Sequence, residues 1–121
     1  MIKTILILCV VLITTGSQAN AKSEYLTALK ARYDIANGSK LNDCATCHDG
    51  QWSRNVYGDD LETAGIKDDI NAAFAATDTV DSDLDGPNNQ EELVAGTWPG
   101  DPTDIAPVNE ATWGRIKALF N

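Results

Sequence analysis

Apolar positions along the chain form one solid block and then several periodic stretches. The block, residues 5–14, follows a single positive charge at Lys3 and leads through small and polar residues to Ala19-Asn20-Ala21. That is the anatomy of a secretory signal with an A-x-A cleavage site, and it is too short for a membrane-crossing helix of about 20 apolar residues. Cleavage after Ala21 is expected, leaving 22–121 as a single domain. Residues 23–36 predict a helix: Ser23 suits the N-cap, Glu24 the first turn, and Leu26, Leu29 and Tyr33 share a face, with Asn37-Gly38 closing it. Residues 51–60 mix rings, amides and a glycine without a period and predict a loop. A second helix is expected over 67–77, with Asp68 and Asp69 at its positive end and Ile70, Ala73, Phe74 and Thr77 on one stripe. A short helix over 91–95 turns Leu93 inward and stops at Gly96. After a proline-rich connector, Asn109 caps a last helix with Trp113, Ile116, Leu119 and Phe120 on its apolar side. The fold class predicted is all-α.

Composition sharpens this picture. The 121 residues carry a formal net charge of -9, and Lys3 is the one charged side chain in the presumed signal, so its removal makes the balance more negative still. Such acidity disfavours nucleic acid and anionic lipid, and favours basic partners or cations. A domain this small buries a modest core, so a covalent cofactor and a bound ion would both help it hold together. Of three cysteines, Cys9 leaves with the signal, and Cys44 and Cys47 remain.

Those two belong to Cys44-Ala45-Thr46-Cys47-His48, a C-x-x-C-H sequence that reads as an attachment site for c-type haem. Two thiols on one tight turn can each form a thioether with a porphyrin vinyl group, and the next histidine is then placed as the proximal iron ligand. A redox-active dithiol would need a β-α-β setting, which the pattern lacks. A structural zinc site would need a fourth Cys or His ligand. In the loop that follows, Arg54 and Trp52 are candidates for contact with the haem propionates.

The second motif is acidic. Residues 81–92, Asp81-Ser82-Asp83-Leu84-Asp85-Gly86-Pro87-Asn88-Asn89-Gln90-Glu91-Glu92, satisfy the twelve-residue D-x-D-x-D-G-x5-E calcium pattern. Carboxylates of Asp81, Asp83, Asp85 and Glu92 can surround a hard cation, Pro87 can offer its carbonyl, and Asn89 a direct or water-mediated contact. Gly86 permits the sharp turn. Asn88 replaces the apolar residue through which paired EF-hands meet, so a lone structural loop is expected.

The order of helix, early C-x-x-C-H, further helices and a terminal aromatic helix resembles small class I c-type cytochromes. Residues 81–101 are similar to the calcium loops of dockerin and thrombospondin type 3 repeats. Together they resemble exported bacterial monohaem cytochromes carrying one EF-hand-like loop. The resemblance implies a small cytochrome c-like helical domain around a covalent haem, held by Cys44, Cys47 and His48, with calcium at Asp81, Asp83, Asp85, Asn89 and Glu92. One departure matters: Met1 is the sole methionine and His48 the sole histidine, so the usual sixth iron ligand is missing. An open or weakly occupied sixth site is expected first; a lysine, Tyr57, Asn55 or the amino terminus at Lys22 are the alternatives. The class I proline that supports the proximal histidine is absent too.

The function these readings predict is electron transfer by an exported, most simply periplasmic, monohaem c-type cytochrome, and not an enzyme. Its partners would be redox proteins with basic docking faces, with no nucleic acid and no stable membrane insertion. The alternative is a haem protein binding NO, CO or peroxide at an open iron site. A calcium-dependent interaction module with haem as a staple is a third possibility.

Overall fold

The computed structural model describes residues 21–50, 53–107 and 118. Residues 1–20 of the expected signal (1–21), Trp52 and all of the expected last helix except Ala118 lie outside the described residues. Among the described residues the regular elements are four helices and one 3-10 turn, with no strand. The architecture is therefore all-α. No helix among the described residues is long and apolar enough to cross a membrane.

The first helix, α1, spans Ala21–Tyr33 and ends three residues before the expected boundary. Asp34 takes a left-handed backbone, φ 54°, and the Ile35 amide reaches back to the Lys30 carbonyl at 3.1 Å. This is a Schellman ending, which an aspartate tolerates better than most residues. Ile35 then turns inward and is buried. As expected, Leu29 and Tyr33 are in the core, with Leu26 packed beside them.

Residues 44–46 form the 3-10 turn, capped by the Asp43 carboxylate on the Ala45 amide. The next helix, α2, spans Val56–Thr63 and corrects the loop expected over 51–60. Asn55 is its N-cap, accepting from the Gly58 amide, and Tyr57 and Leu61 are buried one turn apart. The glycine that disguised this helix is required by contact: a methyl group at Gly58 would overlap the Cys47 carbonyl oxygen. Gly65, at φ 82°, ends α2, and the Ile66 amide bonds the Leu61 carbonyl.

Helix α3 covers Ile70–Thr77, and α4 covers Asn89–Ala95. Asp69 caps α3 through the Ala72 amide, so the helix starts after the expected Lys67. Asn88 and Glu91 form a reciprocal capping box that starts α4 two residues early, and Gly96 ends it at φ 85°. Helix α3 packs on both α1 and α2, and α1 also touches α4. Tyr33 meets Phe74 edge to face with centroids 6.0 Å apart. The Tyr33 hydroxyl donates to Asp78 Oδ1 at 2.5 Å, and Arg32 pairs with the other oxygen of that carboxylate. One buried carboxylate thus ties the end of α1 to the end of α3.

A glycine inside a helix usually gains about 0.5–1 kcal/mol when replaced by alanine. Gly58→Ala should do the opposite, because overpacking against a fixed carbonyl costs roughly 1–3 kcal/mol. Thermal melting followed by circular dichroism is expected to show a Tm lower by several degrees. An equal or higher Tm would show that α2 does not press on the Cys47 carbonyl.

Candidate functional site: an apolar cleft beside a braced C-x-x-C-H turn

Helices α1, α2 and α3 leave a cleft between them that the C-x-x-C-H turn closes on one side. Leu26 and Leu29 from α1, Leu61 from α2, Ile66 from the following turn and Phe74 from α3 supply its apolar walls. Cys44, Cys47 and His48 all line it. Its volume is about 220 Å³, below the roughly 300–1,000 Å³ of pockets that bury a small molecule. A flat group the size of a porphyrin would therefore keep an edge outside the walls formed by the described residues.

His48 is oriented by the chain itself. Its Nδ1 lies 3.0 Å from the Ser53 carbonyl oxygen, which can only accept, so Nδ1–H donates to it and in the neutral ring Nε2 carries the lone pair. Residues 48 and 54 form an isolated antiparallel bridge, and the Asp49 amide also bonds the Ser53 carbonyl at 3.2 Å. The backbone just after the motif thus folds back to hold the imidazole. It supplies the support that the missing proline left unassigned. Nothing in the sequence pointed to Ser53, because a backbone carbonyl has no side-chain signature.

Asn55 holds the turn from behind. It is buried, its own amide donates to the Cys47 carbonyl at 3.1 Å, and its Nδ2 donates to the carbonyls of Ala45 and Thr46 at 3.2 Å each. Asn55 does not line the cleft, and its carboxamide is engaged on both sides, with Oδ1 accepting from Gly58 and Nδ2 donating to two carbonyls. Tyr57 is fully buried in the core and does not line the cleft. Two of the residues expected as alternatives for a sixth ligand are therefore placed away from the cleft. Lys67 does line the cleft, and its amine bonds Glu62 Oε1 at 2.5 Å, which holds the Glu62 carboxyl below its usual range. Arg54 stands beside them at the rim, bonded to Asp59 at 2.9 Å.

The two thiols are free, and burial pushes the Cys47 thiol up to about 12, with the neighbouring Cys44 adding to the shift. Dithiol exchange chemistry relies on the opposite, a depressed thiol pKa. Cys44, Cys47 and His48 also do not converge as a metal cage; the one such cluster among the described residues is elsewhere. A covalent haem fits this donor set: two thiols on one turn, an imidazole with one nitrogen already tied, and an apolar cleft in front of them.

The other cluster is the 81–92 loop. Ligand oxygens of Asp81, Asp83 and Asp85 lie within 4.8 Å of one another. Asp81 shapes the loop by accepting from the amides of Leu84 and Gly86 at 2.8 and 3.0 Å. Leu84 and Gly86 both have positive φ. Glu92, 0% exposed, lies outside that cluster of three but close enough to feel its charges: Thr97 donates to Oε1, while Oε2 has no partner. Asp83 Oδ2 and both oxygens of Asp85 are likewise buried and unpaired. Burial, reinforced by the mutual repulsion of these charges, raises Glu92 to about 8 and Asp83 to about 6. Among the described residues no Lys or Arg forms an ion pair with any of the four. Buried carboxylate oxygens without donors fit a cation-holding site, since such groups are otherwise paired.

The loop is also wired into the fold. Asn89, at its ninth position, turns its carboxamide inward: Nδ2 donates to the Thr77 carbonyl and to Ser82 Oγ at 2.9 Å each, and Oδ1 accepts from the Ser82 amide. The structure thus gives Asn89 a bracing place, and Pro87 is buried next to it. Ser82 Oγ reaches Asp60 of α2 at 2.6 Å. Compared with protein-family models, with curated proteins and with solved structures, the chain matches none.

Proposed function

We propose that this chain is an exported monohaem c-type cytochrome that carries single electrons, and that the 81–92 loop holds a structural calcium ion. One observation carries the reading: the C-x-x-C-H turn closes an apolar cleft with the His48 ring already oriented by the Ser53 carbonyl. Cys44 and Cys47 would hold the porphyrin through two thioethers, and His48 would ligate the iron through Nε2. A haem bound there would supply a one-electron ferric/ferrous couple. The residues of the chain do the rest. Leu26, Leu29, Leu61, Ile66 and Phe74 exclude water and lower the local dielectric, which favours the less charged form of the couple. Arg54 and Lys67 stand at the rim, where they can offset propionate charge. No acid-base residue is needed for this work, and the acidic surface suits brief, charge-steered meetings with basic redox proteins.

A second reading, binding of a small ligand such as CO or NO, draws on a specific observation. The chain after residue 21 holds no methionine and no second histidine, Tyr57 and Asn55 are committed elsewhere, and the Lys67 amine that lines the cleft is paired with Glu62. The sixth iron position would then be open to a diatomic molecule even in a protein that transfers electrons.

Protein made in a bacterial periplasm with haem-attachment machinery should carry haem that resists extraction by acidified acetone. Its reduced absorption spectrum should shift on adding carbon monoxide. A spectrum indifferent to carbon monoxide would show a strong sixth ligand from the protein, and absence of covalent haem would sink the cytochrome reading altogether. The double change Cys44→Ala and Cys47→Ala should abolish covalent haem and lower the Tm, because the cleft walls would then lack their occupant.

Removing divalent cations should destabilise the protein. A ligand present at 100 times its Kd stabilises a fold by about 2.7 kcal/mol, and about 4–8 °C of Tm accompany each kcal/mol in a domain of this size. Differential scanning calorimetry in calcium and in chelator, at one low ionic strength, should therefore show a drop on the order of 10 °C. Equal melting in both would remove the calcium assignment while leaving the haem reading untouched.

A further inference from the structure

The Cys44–His48 turn has three carbonyls that its own short 3-10 geometry cannot satisfy, and one residue outside the motif takes all three. Asn55 donates to Ala45 O and Thr46 O through Nδ2 and to Cys47 O through its backbone amide. The same side chain caps α2 through Oδ1, at 2.9 Å from the Gly58 amide. Asn55 is 4% exposed, and the connector after α4 shields it: a methyl group at Gly100 would come within 2.6–2.8 Å of its Cγ, Nδ2 and Oδ1. A carboxamide is the one short side chain that meets both demands, since it carries two donor hydrogens and an acceptor in one plane. Serine or aspartate could cap the helix but could not bond both carbonyls. Asn55 also directly follows the Ser53-Arg54 segment, which bridges residue 48 and bonds His48 Nδ1, so a shift at Asn55 passes to the imidazole partner.

We propose that Asn55 is the positioning residue of the haem site: it holds the C-x-x-C-H turn in its attachment-ready shape and sets the orientation of His48 through the segment it anchors. The proposal rests on the cytochrome reading and extends it to a residue that touches neither thioether nor iron. Its chemistry is the satisfaction of buried carbonyls; leaving two of them without a donor is costly.

The test compares wild type, Asn55→Ser and Asp69→Ala, all made in the same periplasmic system with haem-attachment machinery. Asn55→Ser keeps a helix cap and adds no charge, which guards against simple misfolding. Asp69→Ala removes the cap of α3 and serves as a control for general loss of stability. The readings are covalent haem per polypeptide, Tm, the ferric spectrum and the reduction potential of the holoprotein formed. Asn55→Ser is expected to lower covalent haem about tenfold, the lower end of the 10–100-fold losses seen when partners of metal-ligating histidines are removed. The holoprotein that does form should have a shifted ferric spectrum and potential. Asp69→Ala should lower the Tm and leave haem content, spectrum and potential as in wild type. If wild type carries haem and Asn55→Ser matches it in yield, spectrum and potential, the positioning role is overturned. It is also overturned if Asp69→Ala reproduces the spectral and potential shifts, since general instability would then explain them. Wild type without covalent haem would overturn the cytochrome reading itself, a result distinguishable from both.

Discussion

A turn of three residues cannot satisfy its own backbone, and buried carbonyls must find donors. That constraint sits under much of this structure. The Cys44–Thr46 turn is stabilised from residues 53–58, which double back as a bridge, an asparagine brace and the first turn of α2. The fold around the motif follows from this. Helix α2 must start at Val56 because Asn55 is both brace and cap, and it must carry glycine at 58 because the Cys47 carbonyl lies against it. Once α2 is placed, Tyr57 and Leu61 enter the core, and α3 has a surface to pack on.

Much of this architecture could be read from residue patterns, and the exceptions have physical causes. Helices α1, α3 and α4 announced themselves through stripes such as Ile70, Ala73, Phe74 and Thr77, and through stop signals such as Gly96. Their limits moved by a few residues where a local cap decided them: Asp34 ended α1 early, Asp69 started α3 late, and the Asn88–Glu91 box started α4 early. Helix α2 stayed hidden because Gly58 and the mixed neighbours of Tyr57 look like loop chemistry. Only the approach of the Cys47 carbonyl, a tertiary fact, explains the glycine. Of the candidate site residues, Cys44, Cys47 and His48 do share one cleft wall, and Asp81, Asp83 and Asp85 do cluster. Asn89 answers to its neighbours Thr77 and Ser82, and the Ser53 carbonyl could not have been read from side chains at all.

The acidic loop and the cleft are mechanically joined. Asn89 bonds the last turn of α3, the Gln90 amide bonds the Asp78 carbonyl, and the Asp78 carboxylate grips Arg32 and Tyr33 of α1. A second route leaves α4 through Glu92 and Thr97, and reaches Gly100, whose backbone covers the Asn55 carboxamide. Both routes end on groups that shape the cleft: α1 and α3 supply Leu29 and Phe74, and Asn55 supports the turn.

Linkage follows from this joining. A cation held by Asp81, Asp83 and Asp85, with Glu92 buried nearby, would relieve repulsion in the loop and so favour the arrangement of α3, α4 and the connector that brings these charges near one another. That same arrangement holds Phe74 against Tyr33 and Gly100 against Asn55. Whatever free energy cation binding lends to a well-formed cleft, occupancy of the cleft must return to the cation site, because coupling between two binding equilibria is reciprocal. For a small domain whose core is divided by a cleft, two motifs with no chemistry in common would then be coupled through the framework they share, each occupant favouring the arrangement on which the other depends.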